Sequence, residues 1–262
     1  MENSYTSRQS NCSTGQAASI LEVSKRQRTG FKTWQPPFRG QGFYSQTQTR
    51  FTNQFRNPQV KPRPQKPRPP DQFSVVIPDT NTELIFKKGS VTDFHGESIV
   101  NAANESCLGG GGVDGAITSK GGTELAAARK KLPILYDNVR VPTGDARLTI
   151  GGKLNASYCI HAVGPDFRSI KDPYVLLDAA YTSILREAKT HRITEIAFIP
   201  LSSGIFSGGE STKKIIKKGL QTLVNEVYMG LEKVYMYGFK DEEMAIFHEL
   251  YLKLQKMFKK IN

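Results

Sequence analysis

From Phe73 onward, apolar and polar residues recur with two different periods. Phe73 to Ile77 and Glu83 to Lys88 form short strand-like runs on either side of an Asp79-Thr80-Asn81 turn. Ser98 to Asn101 is short and β-branched at its centre, the end of a buried strand. Val113 to Lys120 predicts a helix that Gly121 and Gly122 interrupt, and Thr123 to Lys131 predicts a second short one. Arg147 to Ile150 and Tyr158 to Val163 predict strands. Asp172-Pro173 marks a helix start with a cap and a proline in the first turn, and Leu177, Tyr181, Ile184 and Ala188 then share one face. Glu195 to Pro200 predicts a strand, and Ile216, Leu220, Leu223 and Val227 stripe another helix. Leu231 to Tyr237 predicts the last strand. Asp241 then caps a final helix striped by Met244, Phe247, Tyr251, Leu254 and Phe258.

Strands alternating with helices predict an α/β fold, a three-layer α/β/α sandwich around one central sheet. No helix separates the two leading strands, so the sheet is expected to be mixed. Residues 73–262 are enough for one sizeable core. Residues 1–72 show no sustained period. They are rich in Gln, Asn, Ser, Arg and Pro, a composition that predicts a disordered tail ending in the stiff spacer Lys61 to Pro70. Only Ala17 to Val23 hints at a short helix.

Charge sharpens this division. Residues 1–72 carry 12 Lys and Arg against 3 Asp and Glu, and residues 73–262 carry 24 against 21, so most of the net +12 lies in the tail. Phe38-Arg39, Arg50-Phe51 and Phe55-Arg56 pair rings with cations. That pattern fits weak RNA or DNA binding as well as it fits a solvated linker. Lys25-Arg26-Gln27-Arg28 is a short basic run of the nuclear-address kind. No apolar run reaches membrane length and the N-terminus lacks a signal-peptide core, so an intracellular protein, nuclear or cytoplasmic and without a membrane partner, is expected. Cys12, Cys107 and Cys159 form neither a disulfide framework nor a zinc spacing, and no metal is expected. Cys107, with no histidine beside it in sequence, reads as a small loop side chain.

The candidate chemistry lies in Ser98 to Gly122, SIVNAANESCLGGGGVDGAITSKGG. A strand end, four glycines from Gly109 to Gly112 and a helix start form the layout of an anion cradle, in which backbone N–H groups and the positive helix end face the ligand. No Gly-Lys-Ser/Thr closes the run as in a P-loop, and the G-x-G-x-x-G spacing of a dinucleotide site is absent. A flexible linker would not be flanked by a strand and a helix. A second loop, Ser202 to Phe206, follows another strand end. Neither loop contains a Lys or Arg, so dipoles rather than salt bridges would hold the anion.

Asn101-Ala102-Ala103-Asn104, a spacer, and Gly110-Gly111-Gly112-Val113-Asp114-Gly115-Ala116-Ile117 resemble the signature of the macrodomain, an ADP-ribose-binding module. Thr143-Gly144-Asp145-Ala146, Ile160-His161-Ala162-Val163-Gly164-Pro165 and Pro200-Leu201-Ser202-Ser203-Gly204-Ile205-Phe206 resemble its later segments, and the likeness spans roughly Glu83 to Phe258. The first glycine loop is most similar to hydrolase-type, MacroD-like members.

The resemblance implies an ADP-ribosyl hydrolase acting on mono-ADP-ribosylated acidic side chains and on O-acetyl-ADP-ribose, with no cofactor. The alternative it leaves open is a reader that binds ADP-ribosylated proteins without turnover. It implies catalytic roles for Asn104, on the distal ribose, and Asp114, which positions or activates water. The implied ligand contacts are Ser90, Val91, Asn101, Ala103, Gly110, Gly111, Gly112, Val113, Ser202, Ser203, Gly204, Ile205, Phe206 and Phe239. Asn101 is open to a bracing role on the loop backbone, Phe239 to either core packing or stacking near adenine, and Asp114 to service as a plain helix N-terminal charge. His161 is expected to be a satisfied core histidine. Three departures stand out. Ser90 replaces an aspartate expected at the adenine amino group, Thr118 stands where the hydrolase group often has histidine, and Ser207-Gly208-Gly209 replaces a Gly-aromatic-Pro ending.

Overall fold

The computed structural model describes residues 68–260, and the expectations for the tail before them lie outside the described residues. Seven strands form one sheet: β1 (Gln72–Ile77), β2 (Thr82–Lys88), β3 (Gly96–Ala102), β4 (Ala146–Ile150), β5 (Ala156–Ala162), β6 (Glu195–Phe198) and β7 (Lys233–Gly238). Four helices join them: α1 (Gly112–Lys130), α2 (Pro173–Thr190), α3 (Thr212–Glu226) and α4 (Asp241–Phe258). The strand order is β1-β2-β7-β6-β3-β5-β4. The inner five run parallel, and the outer strands β1 and β4 are antiparallel to their neighbours. The expected mixed sheet follows from the Asp79–Asn81 turn, where Asn81 takes a φ of 57° and returns the chain as a hairpin.

Because side chains alternate across a strand, one residue in two faces each helix layer. Val100, Ile160, Ile196, Phe198, Val234 and Met236 join α2, α3 and α4 in the larger core. Their neighbours Ile99, Cys159, Ala197 and Tyr237 pack with Ile117 and Leu125 of α1 on the opposite face. The three expected layers are therefore α2, α3 and α4, the sheet, and α1.

Two helix starts differ from expectation. The cap position of α4 is Lys240, and Asp241 is its first helical residue, pairing with Lys88 at 2.5 Å. Glu243 does the capping instead, its Oε2 accepting from the N–H of Phe239 at 2.8 Å and of Lys240 at 3.1 Å. A carboxylate three residues into a helix reaches back to these otherwise orphaned donors. At α2, Asp172 occupies the cap position but makes no side-chain cap bond; Pro173 opens the helix.

Candidate functional site

Five parallel strands end at one edge of the sheet, and that edge collects the candidate segments. Gly89–Thr92 follows β2, Phe239 follows β7, the second loop follows β6, the first glycine loop follows β3 and Val163–Asp166 follows β5. A hydrogen bond from Gly89 N to Gly238 O at 3.0 Å sets Ser90 beside Phe239.

The first loop is packed from beneath. A Cβ on Gly110 would lie 3.0 Å from Asp114 Oδ2, and one on Gly115 would lie 2.9 Å from the Gly110 carbonyl oxygen. Gly111 and Gly112 face open space. Gly111 is the cap residue of α1 and provides no side-chain bond, so the first N–H groups of the helix point outward without an intrahelical partner. Asn104 shapes the turn: its Oδ1 accepts from Ser106 Oγ at 2.7 Å and Cys107 N at 3.1 Å, and its Nδ2 donates to Gly109 O at 2.9 Å.

Below the loop lies a buried polar chain. Parallel pairing sets Asn101 directly opposite His161 on the α1 face. Asn101 Nδ2 donates to Asp114 Oδ1 at 2.8 Å and to His161 Nδ1 at 3.1 Å. Since His161 Nδ1 accepts, its Nε2 carries the proton and donates to Thr149 Oγ1 at 2.9 Å, and Thr149 donates to Ile150 O. Burial, with Arg129 nearby, lowers the His161 pKa to about 3, so the ring is neutral. His161 is the satisfied core histidine that was expected.

Arg129 closes the chain. Its Nη1 lies 2.7 Å from Asp114 Oδ1 and 2.7 Å from Thr118 Oγ1, and its Nε donates to Cys107 O at 2.7 Å. Thr118, in place of a histidine, accepts from Arg129 and donates to Asp114 O at 2.7 Å. Asp114 is 3% exposed and Arg129 0%. Burial opposes the charge on Arg129, but the hydrogen bond and charge of Asp114 outweigh it and raise its pKa above the ordinary value. Asp114 Oδ1 thus has two donors, while Oδ2 has none among the described residues and faces the underside of Gly110.

The second loop is held differently. Leu201 N donates to Tyr181 Oη at 3.2 Å, Ser203 Oγ to Pro200 O at 3.0 Å, and Phe167 N to Phe206 O at 2.8 Å. Ser202 takes a φ of 57°, and its buried Oγ has no partner among the described residues. Ile205 is 78% exposed and Phe206 half-buried, while Gly204 faces open space. The single-turn helix Ile205–Ser207 ends at Gly208, whose φ of 60° suits glycine. A cavity of about 590 Å³ lies just beyond, lined by Phe167, Lys171, Tyr174 and Ser207–Glu210.

The expected contact residues occupy different settings. Asn101 is fully buried and holds side chains, not loop backbone, while Asn104, expected at the distal ribose, also braces the loop backbone. The Val91 and Ala103 side chains are core, so only their backbone remains available at the edge. The Ser90 hydroxyl is occupied with Thr92, 2.8 Å from its Oγ1 and accepting from its N–H at 3.3 Å, as the cap of a single helical turn. Phe239 is 75% exposed and is not core. Cys107 and Cys159 are buried, with pKa values raised by desolvation, which leaves them as small packing residues. Sequence reasoning missed Arg129. Its signal was a spacing of four, Ile117-Gly121-Leu125-Arg129, which sets a cation on the buried stripe of α1.

Comparison with known proteins agrees with this architecture. The Macro domain family model matches residues 100–212. A macro domain-containing protein of Vibrio parahaemolyticus is 36% identical over 159 residues, covering 61% of this chain and 91% of that protein. A macrodomain of Oceanobacillus iheyensis solved with ADP shares 30% identity at a TM-score of 0.64, covering 72% of this chain and 97% of that one. A Trypanosoma brucei macrodomain in complex with ADP-ribose shares 31% identity at a TM-score of 0.55, covering 64% of this chain and 68% of that one.

Proposed function

The chain belongs to the macro domain family, and on that premise we propose that it binds ADP-ribose along the carboxyl edge of its sheet and hydrolyses mono-ADP-ribosyl esters. The Trypanosoma relative bound to ADP-ribose and the Oceanobacillus relative bound to ADP support the ligand class. In this reading the N–H groups of Gly110 to Val113 and those of Ser202 to Phe206 take the diphosphate from two sides, aided by the positive end of α1. Phe206 covers the distal ribose and Phe239 stacks near the base. Asn104 acts indirectly, by fixing the loop that carries Gly109. Modified Asp and Glu side chains and O-acetyl-ADP-ribose are both acyl esters of the distal ribose. Water adds to the ester carbonyl, the acyl–oxygen bond breaks, one water proton passes to the ribose oxygen and the other is released to solvent, and ADP-ribose and a free carboxylate leave.

The observation that carries the reading is Asp114 Oδ2, a buried acceptor without a donor among the described residues, directly beneath Gly110. A ribose hydroxyl or a water at the loop would supply the missing hydrogen bond. Positioning of this kind speeds the reaction without a strong nucleophile. One feature favours the second reading, a reader without turnover: Asp114 is almost wholly buried and ion-paired. Calorimetric titration of the full chain with ADP-ribose, followed by an assay on a glutamate-linked ADP-ribosyl protein, separates the two. We expect 1:1 binding and release of ADP-ribose. Binding without release supports the reader, and no binding rejects both. Residues 73–262 alone are expected to bind equally well, and a salt-dependent nucleic-acid affinity lost with residues 1–72 would identify a separate role for the tail.

A further inference from the structure

Asp114 and Arg129 are 15 residues apart on one helix and 2.7 Å apart in space. On a straight α-helix that separation spans about 22 Å, beyond the reach of any side chain. The contact exists because α1 is broken at Gly122, where φ is 67° and ψ is −162°. This backbone region is open almost only to glycine. The break frees the Gly121 carbonyl, and the turn between β4 and β5 satisfies it: Lys153 N donates to Gly121 O at 2.9 Å. The same turn packs tightly, since a Cβ on Gly152 would lie 2.4 Å from that oxygen. The second half of α1 thereby returns its last turn toward its own beginning.

Arg129 then makes three contacts with the site from outside both glycine loops. It holds Asp114 Oδ1, leaving Oδ2 turned to Gly110; it holds Thr118 Oγ1, which is bonded to the Asp114 carbonyl; and it holds the Cys107 carbonyl at the entrance to the glycine run. Cys107 itself takes a φ of 55°, so the clamp acts on a backbone segment already in an uncommon conformation. A guanidinium provides these donors in one rigid plane, which neither an amine nor an amide reproduces. A buried pair of this kind is weak evidence for added stability, because desolvation offsets most of its attraction.

We propose that Arg129, returned by the Gly122 break, is a positioning residue that sets the direction of the Asp114 carboxylate and the shape of the glycine loop. It touches no ligand and acts through Asp114 and Cys107. The proposal rests on the ADP-ribose reading of the same site.

Titrating ADP-ribose into wild type, Arg129→Gln, Arg129→Lys and Thr118→Val, with thermal unfolding of each, tests it. The calorimetric stoichiometry counts the folded, competent fraction, so affinity is read separately from stability. Arg129→Gln is expected to weaken binding at least tenfold at unchanged stoichiometry. Arg129→Lys should recover thermal stability more fully than affinity, since an amine can pair with Asp114 but cannot also hold Cys107 O and Thr118 in the same plane. Thr118→Val, which keeps the ion pair and removes the hydroxyl between its partners, should weaken binding about threefold. If Arg129→Gln does not fold, the lysine and valine variants decide. Folded variants that bind as tightly as wild type would leave Arg129 a purely structural residue and overturn the inference. A wild type that does not bind would remove the ADP-ribose reading and the inference with it.

Discussion

The two loops at the carboxyl edge are built on opposite principles. The first rests on a buried ion pair and a chain of hydrogen bonds; a Cβ on Gly115 in α1 would clash with the Gly110 carbonyl at 2.9 Å, and one on Gly110 would sit tightly against Asp114 at 3.0 Å. The second is tied by neutral hydrogen bonds with no ion pair beneath it among the described residues, and exposes its apolar tip at Ile205. One has its position determined from below by chemistry deep in the fold. The other is a cover whose residues answer mostly to what sits under them. A substitution beneath the first loop, at its tight glycines or at the ion pair, therefore reaches the fold, whereas one at its open face or in the second loop reaches mainly the ligand.

The largest contrast is expected from Gly111→Glu. Gly111 has a φ of −93° and open space beyond its Cβ position, so the backbone accepts a side chain without strain. A carboxylate there enters the proposed diphosphate space and repels it. ADP-ribose binding should vanish while the unfolding temperature stays near wild type; an unchanged isotherm would put the phosphate elsewhere. Asp114→Ala should do the reverse to the fold. Its removal leaves Arg129 as an uncompensated buried charge, a loss on the order of 3–5 kcal/mol, a large share of the stability of an ordinary domain. Denaturant unfolding measures it, and a loss below about 1 kcal/mol would show that the pair carries no such role.

Phe206→Ala probes the cover. Half-buried at the loop tip, it is expected to cost little stability and to weaken ADP-ribose binding by roughly 1 kcal/mol, on the order of fivefold, through lost ring contact. Equal affinity would mean that the ring does not meet the ribose. The smallest effect is expected at Ser90→Asp. Serine and aspartate both cap helical turns well, so stability should hold. A charged acceptor would tighten binding by no more than about fivefold if the side chain can leave its bond to Thr92. Weaker binding would show that this turn does not face the base.

Most of the architecture was legible in local pattern. Strand and helix positions agree with the periodicity because the central strands are largely buried on both faces and each helix buries one stripe, and those demands are written residue by residue. Strand β6 stops at Phe198, short of the expected Pro200, in keeping with the missing N–H of proline. The glycine run and the helix after it, Gly122 break included, were likewise apparent, since few residues other than glycine tolerate such backbone.

What the tertiary structure alone decided is how side chains are used. Asn101 and Asn104 are chemically identical and three residues apart, yet one holds Asp114 and His161 and the other holds the loop backbone. The difference comes from strand register: pairing with β5 sets Asn101 opposite His161 inside the sheet, while Asn104 has already left it. Arg129 shows the same division. The sequence placed a cation on an apolar stripe and a glycine break before it. That the cation meets Asp114 depends on how far the chain turns at Gly122 and on the β4–β5 turn that accepts the broken backbone. Local propensity governs backbone conformation one residue at a time, whereas an ion pair across 15 residues depends on a direction in space, which is set only when the elements pack.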